Sequence, residues 1–276
     1  MDAVVGRTAV VTGGGSGIGR AIVLALAGAG ANVVVADIEL DAAEAVAKEA
    51  AAAGVDTLAV QVDVADTASV DALADAAFDR FGAVHVLCNN AGVFLMGQIG
   101  DFIVDDWRWV LSVNVIGVVN GVHAFLPRMI AQGQPGHIVN TGSVASFGGG
   151  GPYGASKAAV LSITESLLGE LAPHGIGASV LCPANINSRI LGAQRNRPAE
   201  FGRKAAEPFG TDITTFGIDA EHVGRRALEA ILNDELYVFI FPDGWQGHLK
   251  PGVQQRFDDV LAAIDRGAVV DEATAS

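Results

Sequence analysis

The chain has little cysteine, only Cys88 and Cys182 in 276 residues. Each closes an apolar run far from the other, so neither a disulfide framework nor a zinc site is expected. Both read as small core residues at strand ends. The six histidines are scattered, with no HExxH pattern and no CxxC nearby, and no metal is expected. Basic residues are scarce as well: 17 against 31 acidic, a formal charge of −14 and an isoelectric point of about 4.7. Such a surface repels phosphate backbones and argues against a nucleic-acid partner. No basic head precedes an apolar stretch at Met1–Gly6, so no secretory signal is expected. The longest apolar tract, Ala21–Ala36, is broken by Gly28, Gly30 and Asn32 and falls short of a membrane span. A soluble, cytoplasmic protein is expected. No Pro/Gly/Ser linker and no internal repeat divides the chain, so it reads as one domain.

What is present is an alternation. Half the residues are apolar, enough for a sizeable core. Short Val/Ile/Leu runs predict strands at Thr8–Thr12, Asn32–Ala36, Thr57–Val62, His85–Asn89, His137–Thr141, Ala178–Cys182 and Tyr237–Phe241. Ala-rich stretches between them predict helices at Ile18–Ala29, Leu40–Ala53, Ser69–Phe81, Asp105–Ala131, Gly154–Ala172 and Ala220–Asn233. The strands lack in/out alternation, as parallel strands covered on both faces do. The expected fold is α/β: a doubly wound, seven-stranded parallel sheet with helices on both faces. Two stretches break the rhythm. Asn187–Thr215 mixes Ile190, Leu191, Phe201 and Phe209 with Arg189, Arg195, Arg197, Glu200, Arg203 and Lys204. It follows the sixth strand, at the sheet edge where such folds bind ligands, and is expected to be a substrate lid. Residues 242–276 form a tail, with a short amphipathic helix expected at Val253–Ile264.

Between the first strand and first helix lies Thr12-Gly13-Gly14-Gly15-Ser16-Gly17-Ile18-Gly19. Glycines there let a pyrophosphate approach bare backbone at a helix N-terminus. Asp37 ends the second strand about twenty residues on, where an acid accepts hydrogen bonds from an adenosine ribose. An N-cap is the alternative role. Asp37 disfavours a 2′-phosphate: like charges ~5 Å apart repel by roughly 3 kcal/mol at an effective dielectric near 20. Ser16 and Ile38 occupy the adjoining positions, so no neighbouring base recruits that phosphate, and NAD is the expected cofactor. Asp63 and Val64 close the third strand, and Asn89-Asn90-Ala91-Gly92 the fourth. They suit an adenine and ribose lying across the sheet edge, although Asn90 also reads as a turn residue.

Tyr153 and Lys157 stand four apart at the start of a predicted helix and so share a face. Lowering a phenol pKa from about 10 to roughly 7 requires about 4 kcal/mol. An ammonium ~5 Å away supplies roughly 3 kcal/mol at an effective dielectric of 20, and the positive nicotinamide of bound NAD could supply the rest.

In the order TGxxxGxG (Thr12–Gly19), Asp63, NNAG (Asn89–Gly92), Asn114, Ser143, Tyr153 and Lys157, the chain resembles the short-chain dehydrogenase/reductase family, in its short single-domain form, from about Arg7 to about Phe241. The resemblance implies a catalytic set of Asn114, Ser143, Tyr153 and Lys157. In it Tyr153 is the acid/base, Lys157 binds the nicotinamide ribose and lowers the tyrosine pKa, Ser143 holds the substrate oxygen, and Asn114 anchors a relay water. It adds Pro183, Ile186 and Ser188 to the cofactor contacts, alongside Gly13, Ser16, Gly17, Ile18, Gly19, Asp37, Ile38, Asp63, Val64, Asn90, Ala91, Gly92, Tyr153 and Lys157. It also implies a homotetramer, with a dimer as fallback, paired through helices at 105–131 and 154–172. Two departures stand out. The Ser143–Tyr153 stretch is short and carries Gly148–Gly151, and the usual Pro-Gly reads Pro183-Ala184, whose backbone should avoid positive φ. Val93, Phe94, Leu95, Met96, Val144, Ala145 and Leu191 are expected around a hydrophobic secondary alcohol or ketone, aromatic, alicyclic or steroid-like. A cyclic dihydrodiol, with Asn185 meeting its second hydroxyl, is the alternative. A non-catalytic dinucleotide sensor would not need the Ser, Tyr and Lys set.

Overall fold

The computed structural model describes residues 3–202 and 217–265. Seven strands form one sheet: β1 Thr8–Thr12, β2 Asn32–Asp37, β3 Thr57–Gln61, β4 Val86–Asn89, β5 Gly136–Thr141, β6 Ile176–Pro183 and β7 Tyr237–Ile240. All pairings are parallel, in the order β3-β2-β1-β4-β5-β6-β7. The order reverses between β1 and β4, and a crevice opens beyond the strand ends at such a switch point. The apolar runs are continuous because neighbouring residues serve opposite faces. Ala9 and Val11 of β1 and Val33 and Val35 of β2 join one core, while Val10, Val34 and Ala36 join the other.

Helices α1 Gly17–Gly28, α2 Leu40–Ala51 and α7 Ala220–Asn233 cover the first face with Ile22, Leu26, Val46 and Ile231. Helices α3 Thr67–Phe81, α5 Gly117–Ala131 and α6 Gly151–Leu171 cover the second with Leu73, Phe125, Met129 and Leu171. Asp66 caps α3 by accepting the Ala68 N–H at 3.1 Å, and Asp219 caps α7 through the Glu221 N–H.

The expected Asp105–Ala131 helix is interrupted. Helix α4 spans Val104–Leu111, and a π-helical turn, Ser112–Ile116, joins it to α5. Such turns insert one residue into the hydrogen-bond ladder. Val104–Ala131 is also long and apolar enough to cross a membrane, which was not foreseen from the sequence; half of its most apolar window is buried inside the fold. Soluble core helices pass the same test.

The chain falls into two compact units, Met1–Ile240 and Phe241–Ser276. In the second, α8 runs from Gln246 to Asp265, seven residues longer at its start than Val253–Ile264. A third, smaller apolar cluster of Val93, Leu95, Trp109, Val110 and Ala193 lies apart from the two sheet-face cores, with Phe102 and Phe201 packed against it. Ala193 and Phe201 come from two 3-10 turns, Arg189–Asn196 and Ala199–Phe201. We refer to Ser188–Phe201 as the strap. Residues 203–216 of the expected lid, including Arg203, Lys204 and Phe209, lie outside the described residues.

Candidate active site

The carboxyl ends of β1 and β4 are braced together. Thr12 Oγ1 accepts the N–H groups of Asn90 (3.0 Å) and Ala91 (3.1 Å) and donates to the Cys88 carbonyl. The Asn90 amide donates to the Thr12 carbonyl at 3.0 Å. Asn90 is thus a brace between strands, beyond the local turn residue that its sequence context suggested. The glycine turn wraps over this brace. At Gly19 a Cβ would overlap the Gly13 carbonyl oxygen, and at Gly17 it would come within 2.8 Å of Ser188 Cβ. Ser16 caps α1 without a side-chain hydrogen bond, so the first-turn N–H groups of α1 are left for an external acceptor. Asp37 accepts the Gly15 N–H at 2.9 Å and the Glu39 N–H at 3.0 Å, which fixes its carboxylate beside the turn.

One cavity of about 490 Å³ joins these parts. Gly13, Ser16, Gly17, Ile18, Gly19, Asp37, Ile38, Asp63, Val64, Asn90, Ala91, Gly92, Tyr153, Lys157, Pro183 and Ser188 all line it. A cradle of bare glycine backbone at a helix N-terminus, followed by an acid at the next strand end, fits a dinucleotide. Three of the expected residues lie outside the lining. Ile186 packs in the first core and bridges Ile218. Asn114 is buried behind the wall in the π-helical turn. Its Oδ1 accepts the Val93 N–H at 2.8 Å, and its Nδ2 donates to the Val93 carbonyl (3.0 Å) and Ser156 Oγ (2.9 Å). That amide is fully engaged in tying the β4 end to α6. Ser143 is also buried; its Oγ donates to the Pro183 carbonyl at 3.4 Å and accepts the Ala145 N–H at 3.1 Å.

Helix α6 starts at Gly151, three residues before the sequence pattern suggested, and its Gly151 backbone packs against the Phe102 ring. Tyr153 and Lys157 therefore lie in its first two turns. Lys157 Nζ donates to the Thr141 carbonyl at 2.7 Å and sits 5.6 Å from the centre of the Tyr153 ring. Burial pushes the Lys157 ammonium down to about 8. Burial also pushes the Tyr153 phenol up to about 12, opposed by the Ser143 hydrogen bond. The phenol of the protein alone thus lies above 10, not near 7, because desolvation outweighs its neighbours. Phe94 meets Tyr153 edge-on at 4.7 Å between ring centres. Val93 lines the cavity, but Phe94, Leu95, Met96, Val144, Ala145 and Leu191 do not; Trp109, Val113, Ile190, Ala193 and Phe201 do so instead. Asn185 does not line it either, and its carbonyl accepts the Ile218 N–H. Ala184 keeps a negative φ; among the described residues only Asp234 is a non-glycine with positive φ.

Sequence reasoning placed the arginines of the strap in the expected lid but missed their partners. Arg195 forms a two-pronged pair with Glu39 (3.0 and 3.2 Å), which Arg189 also reaches at 3.4 Å. Both arginines line the cavity together with Asp37 and Ile38. The expectation that no base stands near Asp37 is therefore corrected: two bases arrive from over 150 residues away. Arg197 is buried, 2.7 Å from the equally buried Asp106 and stacked 5.1 Å from Trp109. Only spacing within 187–215 could have hinted at these pairs, and it gives no partner.

Comparison with known proteins agrees with this geometry. The profile of the family described as short chain dehydrogenase matches residues 7–199. The C alpha-dehydrogenase of Sphingobium sp. is 34% identical over 268 residues, covering 94% of this chain and 86% of that protein. The 1-deoxy-11-beta-hydroxypentalenate dehydrogenase of Streptomyces exfoliatus is 36% identical over 261 residues, covering 92% and 88%. A short chain dehydrogenase/reductase from Burkholderia phymatum, solved in complex with NAD, superimposes with a TM-score of 0.87 at 35% identity, covering 98% of this chain and all of that one. The chain belongs to the short-chain dehydrogenase/reductase family and is an oxidoreductase.

Proposed function

We propose that the protein is an NAD-dependent dehydrogenase/reductase that interconverts a hydrophobic secondary alcohol and its ketone, with Tyr153 as acid/base. The observation that carries this reading is one cavity lined at once by the glycine turn, Asp37, Tyr153 and Lys157. The oxidised nicotinamide, when bound, supplies the hydride-accepting carbon and a positive charge. Tyr153 takes the hydroxyl proton in oxidation and returns it in reduction. Ser143, whose hydroxyl acts to lower the phenol pKa, holds the substrate oxygen. Lys157, with its Nζ anchored on Thr141, stabilises the phenolate. At ~5–6 Å and an effective dielectric near 20 that interaction amounts to roughly 3 kcal/mol, about two pKa units. Asn114 acts at one remove, by fixing Val93 and Ser156.

Val93, Trp109, Val113, Ile190 and Phe201 give the cavity a largely apolar lining, which supports an aromatic, alicyclic or steroid-like substrate. Among the described residues, the two arginines of its lining, Arg189 and Arg195, are both held by Glu39, which argues against a carboxylate as the main recognition element. A relative named for a hydroxypentalenate supports a hydroxyl substrate. Exposed Ile116, Val119 and Leu168 on the π-helical turn, α5 and α6 support pairing through these helices into a homotetramer, and light scattering at micromolar concentration tests it. We place the enzyme in the cytoplasm.

A panel of secondary alcohols with NAD or NADP, followed by absorbance of the reduced cofactor, tests the activity. Faster turnover with NAD at equal low concentration is expected, and equal efficiency with NADP would remove the Asp37 assignment. Tyr153→Phe should lower turnover at least about a hundredfold while NAD still binds. Near wild-type turnover would refute the mechanism.

A further inference from the structure

Glu39 does not line the cavity itself but follows Asp37 and Ile38, which do. Its N–H donates to Asp37 Oδ1 at 3.0 Å, so the two carboxylates share one turn. Its own carboxylate is engaged on both oxygens by Arg195 (3.0 and 3.2 Å), and Arg189 approaches Oε2 at 3.4 Å. The hydrogen bond from Arg195 and the charge of both arginines hold the Glu39 carboxyl below its ordinary range. Arg195 is further fixed by the carbonyls of Gly192 (3.0 Å) and Arg189 (3.3 Å). Two guanidinium groups therefore line the cavity beside Asp37 and Ile38, with one glutamate between them. Paired guanidinium groups are the side chains best suited to a phosphate ester.

We propose that Glu39 is a cofactor-specificity residue: it occupies Arg189 and Arg195, which would otherwise take the 2′-phosphate of NADP. This rests on the reading that Asp37 meets the adenosine ribose. Exclusion of the phosphate then has two parts, repulsion by Asp37 and sequestration of the nearby cations by Glu39. Removing the Glu39 charge leaves two cations beside one anion and turns a balanced set into a net positive one.

The test is calorimetric binding of 5′-AMP and of 2′,5′-ADP, which differ by the 2′-phosphate alone, to the full-length protein. Glu39→Gln keeps the size of the side chain. It should tighten 2′,5′-ADP by about tenfold, as a released unit charge ~8 Å from the phosphate does at an effective dielectric of about 30. The affinity for 5′-AMP should change less than about twofold. In Glu39→Gln/Arg189→Gln/Arg195→Gln the gain should vanish. Equal changes, or none, for both nucleotides in Glu39→Gln would overturn the inference and leave the Glu39 pairs as a fastening of the strap only. A gain that survives in the triple variant would overturn it too. Asp37→Asn separates the premise: if it leaves the ratio of the two affinities unaltered, the ribose reading itself fails. If Asp37→Asn tightens 2′,5′-ADP and Glu39→Gln does not, the Glu39 role alone fails.

Discussion

The dinucleotide cradle and the strap line the same cavity but are held in different ways. The cradle is short side chains on backbone: the Thr12 hydroxyl and the Asn90 amide bond main-chain groups of the other strand end, beneath a turn of bare glycines. The strap hangs on two arginines. Arg195 makes its pair with Glu39 at the surface, each side chain about one third exposed, whereas Arg197 and Asp106 are 1% and 0% exposed. Surface pairs contribute little because water and salt already solvate both partners. A buried pair is costly to break because the survivor keeps its charge without a partner. The strap is therefore fastened firmly at Arg197 and lightly at Arg195, while the glycine turn of the cradle depends on the absence of side chains.

The cradle should be the easier of the two to destroy with one atom group. In Gly19→Val the new side chain would overlap the Gly13 carbonyl. Loss of measurable dinucleotide binding is expected, with destabilisation of about 4 kcal/mol or more, read by calorimetry and urea unfolding. In the strap, Gly192→Ala would meet Arg195 Nη1 at an ordinary 3.7 Å and should change stability by no more than about 0.5 kcal/mol. Comparable losses in both would erase the contrast.

Breaking the firm fastening comes next. Arg197→Met leaves Asp106 buried and removes the donor to the Phe201 carbonyl at 2.6 Å. Destabilisation of about 3–4 kcal/mol is expected, visible in the fluorescence of Trp109, on which the guanidinium stacks. Arg197→Met/Asp106→Leu should recover part of it, because the buried carboxylate is gone while the Ile103 N–H loses its acceptor.

A pH scan separates both regions from the sheet that carries them. His137 is the second residue of β5, buried between Ser179 (Nε2···Oγ 2.8 Å) and Asp234 (3.6 Å), and burial pushes it down to about 4 from 6.5. The unfolded chain binds this proton more readily, so the contribution of neutral His137 is complete above pH 6.5 and lost as pH falls toward 4. Over that window it amounts to about 3 kcal/mol. Urea unfolding from pH 7 to 4 should show this slope in the wild type and a shallower one in His137→Gln. Equal slopes would show that other groups carry the acid sensitivity.

The difference between the regions also explains what the sequence made legible. The glycine turn, Asp37, Asp63 and the Asn89–Gly92 run act through backbone geometry at fixed places on a repeating βα pattern, so their spacing carries the information. Tyr153 and Lys157 share a helix face, which spacing also encodes. Arg195 with Glu39 and Arg197 with Asp106 join residues 156 and 91 positions apart, and nothing local in a single sequence pairs them. The π-helical turn at Ser112–Ile116 was hidden for a related reason. One extra residue in a helical ladder leaves the apolar pattern nearly intact, and its cause, the docking of Asn114 on Val93 and Ser156, is tertiary. Burial, which the motif does not show, raises the Tyr153 phenol in the protein alone, whereas the expected lowering counts Lys157 together with the positive charge of bound NAD.

The smallest effect tests the light fastening. Arg195→Gln removes a pair whose members are each about one third exposed, contributing at most about 1 kcal/mol, or roughly fivefold in a local opening equilibrium. Amide hydrogen exchange at 189–196 should accelerate by no more than about that factor. Exchange at 197–201, held by Arg197 on Asp106 and the Phe201 carbonyl, should not change. High salt should reproduce the acceleration in the wild type, because it screens the exposed pair and leaves the buried one intact. If Arg195→Gln loosens 197–201 equally, the strap moves as one piece and its two fastenings are not independent. If neither stretch responds and salt has no effect, the Arg195–Glu39 pair holds nothing, and the apolar seat of Ala193 against Trp109 carries the front of the strap alone.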